Sequence, residues 1–170
     1  MRLITKITGI AAVLTLSTLT ANAQATASAK AEATIIDPIR IDLKRDMNFG
    51  NVAVTTAGTV VLSPAGDRTP SGGVTLPANT GTVQSAIFNI IGAPDYTYAI
   101  TLPAHHTVEN GSGATMEIDQ FTSDPDGTGI LAGGSQALFV GATLNVGAGQ
   151  APGVYSSAGG VGFDVTVNYN

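Results

Sequence analysis

Twelve acidic side chains against seven basic ones in 170 residues, with no cysteine, exclude disulfides, thiol catalysis and Cys-ligated metals. A formal charge of −5 also argues against nucleic acid as a partner, because that role needs clustered Lys and Arg to neutralise phosphates. The one basic cluster, Arg40, Lys44 and Arg45, is interleaved with Asp42 and Asp46.

Arg2 and Lys6 precede a short apolar run from Ile7 to Leu19, and Ala21-Asn22-Ala23 is a small-x-small cleavage site. This is the pattern of a secretory signal peptide, with cleavage expected after Ala23. The run is too short to span a bilayer comfortably, and nothing later reads as a transmembrane segment. The expected organisation is a signal peptide over residues 1–23, an extended arm over 24–37 and a single domain over 38–170. The expected location is the periplasm, the cell surface or the extracellular medium.

The arm alternates. Ala25, Ala27, Ala29, Ala31, Ala33 and Ile35 share one parity, and Gln24, Thr26, Ser28, Lys30, Glu32 and Thr34 share the other. The series runs on through Ile39, Ile41 and Leu43, broken by Asp37-Pro38. One register over this span is too long for a single sandwich strand. The division therefore falls at Asp37-Pro38, and Ile39–Leu43 belongs to the first strand of the domain.

Strand patterns then recur without helical periodicity. Short runs at Thr59–Leu62 and Gly73–Leu76 are followed by Ala86–Ile91, apolar on both faces and so a candidate central strand. Tyr96–Leu102, Met116–Asp119 and Leu138–Val146 alternate with period two. Turn signals separate them: Ala65-Gly66-Asp67, Ser71-Gly72-Gly73, Gly92-Ala93-Pro94-Asp95, Asn110-Gly111-Ser112-Gly113, Asp124-Pro125-Asp126-Gly127 and Ala151-Pro152-Gly153. Short strands with frequent turns predict an all-β antiparallel sandwich, with a small closed barrel as the alternative. The final run places Val161, Phe163, Val165, Val167 and Tyr169 on one face and Gly162, Asp164, Thr166, Asn168 and Asn170 on the other. Such a strand either pairs within its own chain or offers an edge to another.

Candidate chemical sites are weak. His105, His106 and Glu109 have metal-ligand types, but adjacent side chains on a strand face opposite ways and no third His exists; an exposed loop after Pro103 is expected. If Asp124 and Asp126 took the third and fifth positions of a calcium loop, the twelfth would be Gly133, where a bidentate Glu is needed, so a turn is expected. Glu117 and Asp119 share the solvated face of a strand rather than forming a glycosidase pair. No G-x-S-x-G motif occurs. The chain therefore reads as non-enzymatic, with no cofactor and no metal.

Four features line up in order: Met47-Asn48-Phe49-Gly50 after the first strand, Tyr98-Ala99-Ile100-Thr101-Leu102, Gln150-Ala151-Pro152-Gly153-Val154-Tyr155, and the penultimate Tyr169. In this the chain resembles the spore coat protein U and chaperone–usher pilin superfamily, and most closely a group of small secreted bacterial proteins known only as a domain of unknown function. The resemblance implies an incomplete immunoglobulin-like sandwich whose groove is filled by a periplasmic chaperone and then by the N-terminal extension of another copy. It puts the acceptor edge on Val161, Phe163, Val165, Val167 and Tyr169, and the donor on Ala25, Ala27, Ala29, Ala31, Ala33 and Ile35. The chain would then be a pilus- or fimbria-like structural or adhesive subunit.

Two features depart from that pattern. Many members carry a disulfide near the first strand, which a chain without cysteine cannot form. The arm is mostly Ala, and a buried CH₂ contributes about 0.8 kcal/mol against roughly 1.5–3 for a whole Val, Leu or Ile side chain. The alternative is an arm that completes its own domain, giving a monomeric sandwich that binds a glycan or matrix component through Tyr96, Tyr98 or Tyr155; the competing reading puts these rings in the core or in a Tyr-corner contact. N-terminal sequencing of the exported protein is expected to begin at Gln24; a start at Met1 would overturn the signal-peptide reading.

Overall fold

The computed structural model describes residues 24–170, so the expected signal peptide lies outside the described residues. Residues 24–34 carry no strand and are exposed throughout. All strand pairing among the described residues falls between Arg40 and Tyr169. No helix in this range is long and apolar enough to cross a membrane.

Eleven strands follow in order: β1 (Arg40–Arg45), β2 (Ala53–Leu62), β3 (Arg68–Thr75), β4 (Ala86–Ile91), β5 (Thr97–Thr101), β6 (His105–Glu109), β7 (Thr115–Asp124), β8 (Thr128–Ile130), β9 (Ser135–Val146), β10 (Ser156–Ser157) and β11 (Thr166–Tyr169). All ladders are antiparallel. The larger sheet runs β1-β4-β9-β7-β6-β10, with the β2–β3 hairpin joined to β9; the smaller runs β11-β5-β8. The all-β, antiparallel sandwich expected from the alternation is the architecture observed.

The long strand β9 organises the larger sheet. Ser135–Val140 pairs with β4 on one edge, and Ala142–Val146 pairs with β2 on that same edge. The switch falls at Gly141, where a Cβ would collide with the backbone of Leu62, Ser63 and Pro64. On its other edge β9 pairs with β7. The expected central position of Ala86–Ile91 is met, since β4 lies between β1 and β9.

Two clusters make up the core. One joins Val60, Leu62, Val74, Val108, Ile118, Ala142, Leu144 and Val146; the other joins Phe88, Ile90, Tyr98, Leu131, Leu138, Val140 and Val167. β9 contributes to both. The small sheet covers the second cluster, with Tyr98, Ile100 and Val167 turned onto it.

Three expectations change. His105 and His106 lie in β6 rather than in a loop, because β6 pairs along its length with β7. The final strand begins at Thr166 rather than Val161: Val161–Val165 has no ladder partner among the described residues, and a strand is defined by one. Leu43, on the apolar parity of the first strand, is 56% exposed.

Tyr98 is fully buried, and its hydroxyl donates to Gln136 Oε1 at 2.8 Å. The same oxygen accepts the Ile130 N–H at 3.0 Å. Burial pushes the Tyr98 phenol above its ordinary value of 10.0. The unfolded chain therefore ionises first, so this contribution to stability is complete below pH 10.0 and is lost as pH rises beyond it. Tyr98→Phe is expected to cost about 1 kcal/mol at neutral pH by losing one hydrogen bond. It should also flatten the alkaline fall in stability, as followed by urea unfolding across pH; an unchanged alkaline limb would show that Tyr98 is not its source.

Candidate functional site

Beyond the small sheet, the larger sheet's inner face is covered by loops, and between them lies a cleft of about 960 Å³ with both apolar and polar lining. Its floor comes from four strands: Phe88 of β4, Val108 of β6, Met116 and Ile118 of β7, and Leu144 and Val146 of β9. Residues 46–54 form one wall and residues 150–157 the other. Leu43 of β1 lines it too, with Gly162 and Phe163 of the final segment. Asp46 and His106 are the ionisable side chains among its lining residues.

Each wall is held by specific polar contacts. Arg68 Nη1 donates to the carbonyls of Phe49 at 2.6 Å and Asn51 at 3.0 Å, tying this wall to β3. Asn48 exchanges backbone hydrogen bonds with Gln84, and its Oδ1 accepts the Gly50 N–H at 2.8 Å. Gly50 has φ +69°, and a Cβ there would meet the Thr80 carbonyl. The Met47-Asn48-Phe49-Gly50 stretch is thus a turn that aims Phe49 into the core. In the opposite wall the Tyr155 hydroxyl donates to the Ala151 carbonyl at 2.7 Å and accepts from Gln150 Nε2 at 2.8 Å. A hydroxyl returning to the backbone four residues upstream is a Tyr-corner contact. Gln150 Nε2 also reaches the Thr115 carbonyl at 3.1 Å, tying the wall to β7.

The final segment alternates in burial as its sequence predicts, but its residues go to different places. Val161 is 67% exposed. Phe163 enters an aromatic cluster, 5.0 Å from Phe121, 6.3 Å from Phe88 and 6.0 Å from His106 between ring centres. Val165 and Val167 pack on the second core cluster, away from the cleft lining. The Tyr169 hydroxyl accepts the Ala93 N–H at 2.6 Å and donates to the Asp37 carbonyl at 2.8 Å. Of the five expected edge residues, then, Phe163 lines the cleft. On the donor side Ala25, Ala27, Ala29, Ala31 and Ala33 lie in the exposed, strandless stretch, and Ile35 is 97% exposed.

The remaining candidates are structural. His105 is exposed and His106 turns inward, where Nε2 lies 3.0 Å from Ser157 Oγ. No group of three or more His, Asp or Glu able to hold a metal is found among the described residues. Asp124–Gly127 forms a turn, with Gly127 at φ +63°. Glu117 is exposed as expected for a solvated face, but Asp119 is half-buried and its Oδ1 is buried without a hydrogen-bond partner. A kink follows directly: Gln120 has φ +45°, and the β7–β9 register shifts there. Tyr96 is 45% exposed and stands edge-on to Tyr169 at 5.6 Å.

A family model described as "Domain of unknown function (DUF4402)" matches residues 39–169, from the residue before β1 to the last residue of β11. The chain belongs to the DUF4402 family. The match takes in the cleft, both of its walls and Tyr169, and leaves out residues 24–38. No curated protein is similar enough to the chain to count as a match. The DUF4402 description assigns no activity, so function rests on the cleft and the edges beside it.

The Tyr169 hydroxyl, in the last matched residue, ties down Asp37, just before the matched region, and Ala93 within it. Gly92 allows this, because a Cβ there would run into that hydroxyl and into Leu131. Tyr169→Phe leaves the Ala93 N–H and the Asp37 carbonyl without this partner. It is expected to cost about 1–3 kcal/mol. Hydrogen exchange at the Ala93 amide should accelerate well beyond the change in global stability. Gly92→Ala should cost about as much through overpacking. Unchanged exchange at Ala93 would show that the hydroxyl carries no weight.

Proposed function

We propose that this DUF4402 protein is an exported, non-enzymatic structural subunit of a surface fibre, and that another chain completes its sandwich by donating a β-strand. The observation that carries the reading is the Val161–Val165 stretch. Phe163 and Val165 are half-buried between exposed neighbours, as in a strand, and Gly162 and Phe163 line the cleft, yet no strand of this chain pairs with the stretch among the described residues. The Val161 N–H donates to the Ala158 carbonyl at 3.4 Å; an added strand would pair with the backbone that follows while its side chains enter the cleft.

Among the described residues the edge of β1 opposite β4 is likewise unpaired, and β1 approaches β11 without sharing a ladder. A strand inserted on this side would gain hydrogen bonds along one or both edges. Residues 24–35 are this chain's own extension, offered to a neighbour. Before assembly a periplasmic chaperone would cover the cleft in the same way. Chemistry in the cleft has little to work with, since Asp46 and His106 are the ionisable side chains among its lining residues. Glycan binding by a tyrosine platform has less support, because Tyr98 is buried and the Tyr155 hydroxyl is engaged within its own loop.

The reading is tested in the protein's native envelope. Unboiled samples in SDS should carry it in high-mass species that collapse to monomer on heating. Deleting Gln24–Thr34 should shorten or abolish that ladder while leaving the domain folded. Migration as a monomer without heating would end the proposal.

A further inference from the structure

The chain has no cysteine and no tryptophan, and one of its three methionines is Met1. The other two, Met47 and Met116, both line the cleft. Thioethers are thus the most readily oxidised side chains of residues 24–170, and both open onto one cavity. We infer that the cleft is an oxidation-sensitive site: hydrogen peroxide entering it converts Met47 and Met116 to sulfoxides while the domain is folded, and the change at Met47 loosens the packing between the two core clusters. This does not rest on strand donation. It needs only the cleft and its two sulfur atoms.

The two side chains are differently placed. Met116 belongs to β7, opposite Val108 of β6, and packs against the first core cluster. Met47 stands in the wall, and its chain neighbours are both tied to Gln84. Gln84 Nε2 donates to the Asp46 carbonyl at 3.0 Å, and Asn48 exchanges backbone hydrogen bonds with Gln84 at 2.8 and 2.9 Å. The backbone is therefore held on either side of Met47. Its side chain packs against both clusters, a property it shares with Phe121 among the partly buried hydrophobic residues. Both methionines are half-buried, so each sulfur environment combines packing with a solvent-facing side.

The chemistry is an oxygen transfer. A sulfur lone pair attacks one oxygen of hydrogen peroxide, an S–O bond forms and the O–O bond breaks. The proton of the transferred oxygen passes to the departing hydroxide, giving water. Sulfur is oxidised and peroxide is reduced. The product replaces an apolar, flexible side chain with a polar one. In the folded state that polar group sits against apolar neighbours and costs stability wherever it lacks a hydrogen bond. The unfolded chain carries no such cost. Oxidation at Met47 bears on two clusters and oxidation at Met116 on one, so Met47 should account for the larger loss. Leu replaces Met with little change in volume and cannot take up the oxygen, which supplies the control.

The test treats the protein that begins at Gln24 with hydrogen peroxide and follows it by mass spectrometry and urea unfolding. The folded protein should gain one oxygen at each of Met47 and Met116, at a rate that stays constant with urea below the unfolding transition. The oxidised protein should unfold at a lower urea concentration. Met47→Leu should remove most of that shift, and Met116→Leu a smaller part. Oxygen uptake confined to urea concentrations at which the protein unfolds would overturn the inference, because the sulfurs would then be closed off in the folded state. Uptake of both oxygens with an unchanged midpoint would overturn it as well. These two measurements on the unaltered chain decide the matter even if a Leu variant fails to fold. Protection by Met116→Leu equal to that by Met47→Leu would remove the special role of Met47.

Discussion

The structure depends on one strand keeping a single inner face while changing neighbours. β9 pairs with β4 and then with β2 along the same edge, and Gly141 is the joint, because the backbone leaving Leu62 passes where a side chain would stand. This lets twelve residues carry a continuous apolar floor through both core clusters. The small sheet β11-β5-β8 is three strands wide and covers the Leu138–Val140 half. Over Ala142–Val146 the chain supplies loops instead. The cleft is thus a consequence of matching a long floor with a short roof.

Loops can cover such a floor only if their own polar backbone groups are satisfied, and here that work falls to a few side chains. Arg68 takes two carbonyls of one wall, and Tyr155 with Gln150 takes carbonyls of the other wall and of β7. The Arg68 guanidinium and the Tyr155 phenol thus brace the two walls. What remains available around the cleft is apolar surface and the backbone amides of unpaired extended segments, and those are the two ingredients of β-augmentation.

Much of this was legible in the sequence because alternation reports burial directly. The parity of Phe163, Val165, Val167 and Tyr169 is the parity observed, and Ala86–Ile91 showed its central position by being apolar on both faces. What alternation cannot report is whether a partner exists, so Val161–Val165 looked no different from Thr166–Tyr169. Nor does it survive a kink. β7 reads as Met116–Asp119 because Gln120 turns at positive φ and resets the pattern, although the strand continues to Asp124. His105 and His106 lacked a clear apolar alternation and suggested a loop, whereas the ladder to β7 makes them strand. The cleft itself was hidden for a different reason. Its floor comes from β4, β6, β7 and β9, and nothing local to Phe88, Val108, Ile118 or Leu144 says that they adjoin. The motifs Met47–Gly50 and Gln150–Tyr155 were visible in sequence, but their role as walls appears only in three dimensions.

The clasp at Tyr169 bears on where the domain begins. By fixing the Asp37 carbonyl and the Ala93 amide to one hydroxyl, it anchors the start of the domain beside the terminal strand. Residues before Asp37 then extend from a defined point, and Pro38, with its locked φ, limits how the chain turns there. An extended stretch of thirteen residues spans roughly 43–47 Å, well beyond the length of β1, so the arm has reach to spare. In strand addition, main-chain hydrogen bonds supply affinity that any extended segment can match, while side chains in pockets supply selection. An alternating Ala arm provides the first with little of the second.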